Sequence, residues 1–135
     1  MTDSDRLPPK GSLPEPQSPE EARTLLASEA FPAPDVQRVV MTATEFTSIC
    51  PRSGQPDFGS VVIEYTPRER CLESKALKVY LWSYREELVF CEALAARIAD
   101  DVVQAIEPAE LRVEVHQNVR GGIGIVATAE RSAGG

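Results

Sequence analysis

The sequence predicts an α+β domain in which helices cover one face of an antiparallel sheet. Residues 111–117 alternate apolar and polar side chains, and residues 60–66 place Val61, Ile63 and Tyr65 on one face, as half-buried strands do. Between these segments, residues 86–106 repeat apolar side chains at helical spacing. The predicted order is therefore strand, strand, helical segments, strand, strand.

Composition limits the class of protein. A chain of 135 residues with 42% hydrophobic residues suits one globular domain. The net charge of −7 argues against nucleic-acid binding, which needs clustered Lys and Arg, and favours a small or neutral ligand. No apolar run reaches the roughly 18 residues of a membrane span, and the N-terminus lacks the basic and apolar regions of a signal peptide. We expect a cytoplasmic protein without a membrane segment.

The number and spacing of the cysteines and the histidine limit the kinds of catalytic and metal site that this chain can form. Cys50, Cys71 and Cys91 cannot all pair and form no CxxC motif, so we expect a reducing compartment with neither disulfides nor a zinc site. His116 is the single histidine, which nearly excludes a His-based triad or a metal site with several His ligands.

The N-terminal residues 1–34 hold seven of the 11 prolines, so we expect a largely disordered extension. Within it, Ser18, Pro19 and Glu21 are suited to start a short helix. We expect the core to begin near Asp35. A single catalytic domain is then expected to span residues 35–130.

Residues 36–44 are rich in β-formers and lead into a proposed loop, residues 45–60, which carries the candidate chemistry. Pro51 and Gly54 favour a rigid, tightly turned loop that could hold Cys50 and Asp57 near each other. A thiol beside a carboxylic acid can attack an electrophilic carbon and then deliver a proton. The alternative is an ordinary Pro/Gly loop with a buried cysteine.

Residues 73–82 place helix formers before β-formers, so their state stays open. Residues 86–106 form the clearest helix, which Pro108 ends. Glu92 lies at the edge of the apolar stripe in the first turns, where a surface carboxylate favoured by the helix dipole is the alternative interpretation. The stripe comprises Leu88, Cys91, Ala95, Ile98, Ala99, Val102 and Ile106, with Arg97, Asp100, Asp101 and Gln104 opposite.

In the strand 111–117, His116 faces away from the apolar side, toward solvent or an interface. Arg120 and the two glycines after it make a turn into a last strand, residues 123–127, and residues 131–135 are expected to fray. One layer of helices leaves a sheet face and its edges open. Assembly into a closed oligomer would cover both.

Four motifs in this order resemble the single-domain NADPH-dependent 7-cyano-7-deazaguanine reductases. They are EFTSICPRSGQPDF at 45–58, ESKALK at 73–78, FCE at 90–92 and RGGI at 120–123. The members of this family are nitrile reductases of the tunnelling fold on the queuosine pathway of tRNA modification. The resemblance implies that fold, a ring-forming homo-oligomer with active sites between subunits, and a small 7-deazapurine nitrile as substrate.

The resemblance also implies the chemistry. Cys50 would add to the nitrile carbon and form a covalent thioimidate, and Asp57 would supply a proton to the nitrile nitrogen. Two hydrides from two NADPH molecules would then give an aminomethyl group. No metal is implied.

The binding residues follow from the same motifs. Glu92 would accept hydrogen bonds from the N–H edge of the purine-like ring. Cys91 stands where the family usually has His, which removes a titratable group from the pocket. Leu72, Glu73 and Ser74 would line the same pocket. Lys75, Lys78 and, less clearly, Arg120 would bind the NADPH phosphates.

Two other functions remain open. The first is an amidine-forming enzyme, similar to the archaeal branch of the family, in which ammonia attacks the thioimidate. Retention of 73–78, which goes with NADPH use, argues against it. The second is a non-catalytic purine- or pterin-binding module on the same fold. A pure binder needs neither Cys50 nor Asp57, and both are present.

Overall fold

The structure, a computed structural model, describes residues 18–133 and confirms the α+β architecture with antiparallel sheets. Four strands form the main sheet in the order β2-β3-β5-β6, and β1 pairs with β4 in a separate two-stranded sheet. Helix α3 packs on β5 and β6, α2 packs on β2, and α1 packs on both of these helices. The elements are α1 (Pro19–Ser28), β1 (Phe31–Pro32), β2 (Val39–Ile49), β3 (Pro56–Thr66), β4 (Arg70–Cys71), α2 (Ser74–Trp82), α3 (Cys91–Ile106), β5 (Glu110–Arg120) and β6 (Ile123–Ser132).

The alternation of the central strands is confirmed. Val61, Ile63 and Tyr65 of β3 are buried against the helices, while the residues between them lie on the opposite face and are partly exposed. Strand β3 pairs antiparallel with β5 and places Ile63 opposite Val113. These side chains form the centre of the core, because folding removes nearly all of their apolar surface from water.

The loop that carries Cys50 is shorter than the predicted loop at 45–60. A shift of register between Ala43 and Phe46 marks a β-bulge, and β2 continues past it to Ile49. Only residues 50–55 connect β2 to β3. Two backbone bonds of 2.9 Å close this turn, from Cys50 N–H to the Gln55 carbonyl and from Gly54 N–H to the Cys50 carbonyl. Gly54 has φ +72°, as its predicted role in a tight reversal requires.

The predicted start of the long helix at residue 86 is wrong, because α3 begins at Cys91. The preceding backbone bonds to β2 instead: Ile49 N–H donates to the Glu87 carbonyl at 2.9 Å, and Val89 N–H donates to the Ile49 carbonyl at 3.2 Å. These bonds are incompatible with a helical ladder over the same residues. Leu88 is consequently 65% exposed and does not belong to the apolar stripe. The other predicted members of the stripe are buried.

Asp101 was predicted on the solvent side of α3, but it is only 8% exposed. The Tyr80 hydroxyl donates to its Oδ2 at 2.6 Å, the hydroxyls of Tyr80 and Tyr84 lie 3.0 Å apart, and Arg23 of α1 approaches Oδ1 at 3.8 Å. Partners on α1 and α2 thus allow a carboxylate to lie between three helices.

The core does not begin near Asp35 as predicted, because α1 belongs to it. Ser18 accepts a hydrogen bond from Glu21 N–H, and Pro19 is the first helical residue, as the sequence indicated. Ala22 and Leu26 are then fully buried among the other helices. The expected disordered extension is therefore folded from residue 18 onward, and its first 17 residues lie outside the described part of the chain.

The segment between α1 and the main sheet is held through Arg70. Its guanidinium donates to the carbonyls of Ala27 and Ala105, at the carboxyl ends of α1 and α3. Its backbone lies in β4, which pairs with β1, and Ala33 N–H donates to the Glu69 carbonyl at 2.9 Å.

The last strand extends further than expected. Strand β6 runs to Ser132, and Arg131 pairs with Leu111 and donates to Asp100 at 3.0 Å. The predicted fraying from residue 131 is wrong for 131 and 132, since both belong to the ladder, and residues 134–135 lie outside the described range. None of the helices within residues 18–133 is long and apolar enough to cross a membrane.

Candidate active site

Cys50 is the accessible thiol of this chain. It lies at the start of the β2–β3 turn and is partly exposed, whereas Cys71 and Cys91 are buried. Hydrogen bonding by the Ser53 side chain, followed by the backbone groups of Ser53 and Arg52, lowers the pKa of the Cys50 thiol, against smaller opposing effects of burial and of the Asp57 charge. A thiol that ionises more readily at neutral pH is a better nucleophile.

Asp57 lies beyond the turn, as the second residue of β3, directly opposite Ser48 of β2. It is 7% exposed, and its Oδ1 forms an ion pair with Nη1 of Arg120. The Arg120 guanidinium also donates from Nη2 to the Gln55 side-chain carbonyl at 3.0 Å. The structure therefore places a buried carboxylate next to the turn that carries the exposed thiol.

Cys91 and Glu92 begin α3 beside this carboxylate. Cys91 is 5% exposed, and its Sγ–H donates to the Val115 carbonyl at 3.4 Å. Burial raises the pKa of the Cys91 thiol, and the charges of Glu92 and Asp57 add to the effect, so this thiol is poorly suited to nucleophilic attack. Glu92 is exposed in the first turn, as predicted. A small cleft is lined by Ser48, Asp57, Phe58, Cys91 and His116, among others.

Residues 72–78 lead into helix α2 and form its first turn. Leu72 is buried, and its N–H donates to the Tyr65 hydroxyl at 2.9 Å. Glu73 is the N-cap: its carboxylate accepts from Lys75 N–H, with Oε1 at 3.1 Å. Ser74 is the first helical residue and is exposed. The capping carboxylate explains why a segment of mixed propensity is helical.

Lys75 and Lys78 are exposed on α2 at a spacing of three residues, which places them on neighbouring positions of the helix surface. Lys78 and Ser74 line a groove of about 580 Å³ between α2 and the edge strand β2. Trp82 and Arg85 line the same groove further along the chain. Lys78 and Arg85 place two cations along this open groove, which fits a phosphorylated ligand.

Comparison with known proteins identifies the family. The model of the family described as QueF-like protein matches residues 56–134, more than half of the chain. The protein named NADPH-dependent 7-cyano-7-deazaguanine reductase from Anaeromyxobacter sp. (strain Fw109-5) is 49% identical over 112 residues, covering 78% of this chain and 92% of its own. This chain belongs to the QueF-like family. The resemblance that the sequence motifs indicated is thereby confirmed.

Two further QueF-like relatives agree with this assignment. A protein of the same name from Nitrosospira multiformis (strain ATCC 25196 / NCIMB 11849 / C 71) is 43% identical over 110 residues, which is 79% of each chain. A solved structure, described as the archaeosine synthase QueF-Like in the apo form, superposes with a TM-score of 0.69 at 30% identity. It covers 75% of this chain and 98% of its own.

In this QueF-like chain the predicted site residues fall into two groups. The hairpin-end group comprises Cys50, Asp57, Cys91, Glu92 and Arg120, and the α2 group comprises Leu72, Glu73, Ser74, Lys75 and Lys78. Leu72 contacts Tyr65, which follows Asp57 on β3 by eight residues. At about 3.3 Å per residue of strand, this separation spans roughly 26 Å. Leu72, at the start of the α2 group, therefore lies far from Asp57 along β3.

The sequence-based prediction missed three residues that contact or face members of the hairpin-end group. Ser48 faces Asp57 across the ladder, Ser53 lowers the pKa of Cys50, and Gln55 bonds Arg120. Ser53 and Gln55 lie inside the QueF-like motif at 45–58, so their position in the motif was the available signal. Ser48 could have been found from strand alternation only if β2 had been extended to Ile49.

Proposed function

We propose that this protein reduces the nitrile of 7-cyano-7-deazaguanine to an aminomethyl group with NADPH, as a step of queuosine biosynthesis. The observation that carries the proposal is the state of Cys50: a partly exposed thiol with a lowered pKa, in a turn that adjoins a buried carboxylate. The named reductases, at 43–49% identity over most of both chains, support it.

The covalent step uses Cys50 and Asp57. The Cys50 sulfur bonds to the nitrile carbon, and one π bond of the nitrile opens toward its nitrogen. Asp57 pairs with a guanidinium, which is the interaction of an ionised carboxylate. It therefore takes the thiol proton and passes it to the nitrile nitrogen, which gives a thioimidate with no net change in protons.

NADPH, when bound, supplies the hydrides that complete the reduction. The side chains of the α2 group fit it: Lys75 and Lys78 offer two charges to the phosphates, and the groove beside β2 has room for an extended ligand. Arg120 was predicted as a third phosphate ligand, but in this protomer its guanidinium is engaged by Asp57 and Gln55.

Substrate binding in this proposal needs residues from both groups. Glu92 is exposed beside Cys91 and accepts the N–H groups of the 7-deazapurine ring. Leu72, Glu73 and Ser74 lie at the far end of the sheet, so they contribute to this pocket from a second copy of the chain.

A homo-oligomer of the tunnelling fold would meet this requirement. Within residues 18–133, the edge strands β2 and β6 pair on one side only. Edge-to-edge association would continue the sheet from copy to copy and close it into a ring. Such an assembly would sit in the cytoplasm, with a small molecule as substrate and no direct contact with nucleic acid.

The test is NADPH oxidation by the purified protein with 7-cyano-7-deazaguanine, read together with intact-protein mass. Oxidation of two NADPH for each nitrile is expected, with a substrate adduct on Cys50 when NADPH is omitted. An adduct without NADPH oxidation, followed by amidine formation on adding ammonia, would support the amidine-forming alternative instead. If neither signal appears, both enzyme functions are contradicted and a non-catalytic binding module is favoured.

We expect the double change of Lys75 and Lys78 to Ala to raise the KM for NADPH about 10- to 100-fold, while the KM for the nitrile changes little. A 10- to 100-fold change corresponds to a loss of about 1.4 to 2.8 kcal/mol of binding free energy, because each 1.4 kcal/mol changes affinity tenfold. The measurement is steady-state kinetics with each substrate varied in turn.

The matched control changes Arg38 and Arg112 to Ala. It removes the same two charges from the ion pairs with Glu64 and Glu114, away from the groove beside α2. This variant should leave the KM for NADPH and the KM for the nitrile unchanged. A larger effect of the lysine changes on the nitrile KM than on the NADPH KM would contradict the cofactor assignment.

A further inference from the structure

Arg120 joins three parts of the hairpin end. Its Nη1 contacts Oδ1 of Asp57, and its Nη2 donates to Oε1 of Gln55 at 3.0 Å. Gln55 belongs to the same turn as Cys50, whose backbone N–H donates to the Gln55 carbonyl. One planar guanidinium therefore ties the carboxylate of β3 to the turn that presents the thiol.

The backbone of β5 is shaped so that Arg120 reaches this position. The ladder between β3 and β5 ends at the pair Gly59 and Gln117. Between Gln117 and Arg120 the register against β6 shifts, which marks a bulge. A bulge changes the direction of the side chains that follow it, and here it precedes an arginine that reaches back to β3.

We propose that Arg120 is a positioning residue for Asp57, and that it serves the covalent step rather than the binding of NADPH phosphates. This inference rests on the proposed function. It departs from the sequence-based expectation, which grouped Arg120 with Lys75 and Lys78.

Two observations support the assignment. Arg120 lies with the hairpin-end group, while Lys78 lines a groove beside α2. The side chain of Arg120 is 37% exposed, so it is partly enclosed by its partners, whereas both lysines are exposed. Reaching a phosphate would cost Arg120 its contact with a buried carboxylate, which would then be left without its cation.

The contact also selects one oxygen for the reaction. Arg120 occupies Oδ1 of Asp57, and the hydrogen bonds among residues 18–133 leave Oδ2 without a partner. Oδ2 is then the atom that takes the proton of Cys50 and gives it to the nitrile nitrogen. Loss of Arg120 would let the carboxylate turn, and misplacing a reacting group by about 1 Å can cost on the order of 100-fold in rate.

The first experiment measures adduct formation on Cys50 by 7-cyano-7-deazaguanine without NADPH, using intact mass over time. Arg120→Gln should slow this step about 10- to 100-fold, with little change in the KM for NADPH. Arg120→Lys keeps the charge but loses the planar guanidinium with its two donor nitrogens. Its rate of adduct formation should lie between those of Arg120→Gln and the unchanged protein. Arg112→Gln, on the same strand, is the control and should alter neither quantity.

The opposite result would overturn the proposal. If Arg120→Gln forms the adduct at the normal rate and raises the KM for NADPH, Arg120 is a cofactor ligand. Should Arg120→Gln fail to fold, as judged by its thermal melt, Arg120→Lys decides the question with the same two readouts.

A second readout needs neither substrate nor NADPH, so it stands even if the proposed function fails. The charge of Asp57 raises the pKa of Cys50, and Arg120 offsets that charge. Arg120→Gln should therefore slow the alkylation of Cys50 by iodoacetamide at neutral pH. In an Asp57→Asn background the same change should have no effect, because no carboxylate remains. An equal effect in both backgrounds would show that Arg120 does not act through Asp57.

Discussion

Cys50→Ala is expected to abolish both the covalent adduct and turnover. The thioimidate cannot form without a sulfur at this position, and removal of a covalent nucleophile costs on the order of 10⁴- to 10⁶-fold in rate. The fold should be retained, since Cys50 lies in a turn and is partly exposed. Intact mass after incubation with the nitrile, together with NADPH oxidation, measures the two effects.

Cys71→Ala is the matched control. It also removes one thiol, but from the core near the start of α2. This variant should lose some stability through the cavity it creates and still form the adduct. Turnover by Cys50→Ala, or an adduct on that variant, would remove Cys50 from the mechanism.

Asp57→Asn is expected to bind the substrate and lose most of its turnover. Asparagine keeps the shape of the side chain and cannot accept the thiol proton, so the loss should be about 10²- to 10⁴-fold. Substrate affinity can be measured by calorimetry in a Cys50→Ala background, where no adduct intervenes. Single-turnover kinetics then isolates the rate of the covalent step.

The control for this change is Asp100→Asn. Asp100 is an exposed carboxylate that also pairs with an arginine, Arg131, at the opposite end of the sheet. Its loss should leave the rate unchanged, as is usual for surface ion pairs. A near-normal rate for Asp57→Asn would assign the proton relay to another group.

The sheet and the core of the candidate site could be predicted because they depend on local patterns. Alternation fixed the buried face of β3 and β5, since the side-chain period of a strand is two residues. The proximity of Cys50 and Asp57 could be predicted because Asp57 follows Cys50 by only seven residues, across one tight turn. In both cases the relevant interactions occur between residues close in the sequence or along one strand.

The errors arose where distant segments decide the structure. The start of α3 is set by bonds from residues 87–89 to Ile49, which no helical pattern reveals. Asp101 is buried because the Tyr80 hydroxyl of α2 and an arginine of α1 contact it there. Likewise, α1 is stable as part of the core, although its proline-rich surroundings suggested disorder.

The division of the site into two groups was also beyond the sequence. Only 14 residues separate the motifs at 45–58 and 73–78 in the chain, yet most of β3 lies between them. The spacing of two motifs in the sequence does not show at which end of the sheet the second motif lies. Only the contact between Leu72 and Tyr65 shows that the α2 group begins at the far end of β3.

The bonds of Arg70 have a consequence for local stability. The segment that delivers Leu72, Glu73 and Ser74 is tied at once to β1 and to the carboxyl ends of α1 and α3. We expect that it does not open alone, because its release would break contacts with α1, α3 and β1. Amide hydrogens of β4 should therefore exchange with solvent almost as slowly as those of α3, and cleavage of the chain between α1 and β1 should speed both. Helix α1 is thus expected to help keep the segment that leads into α2 rigid.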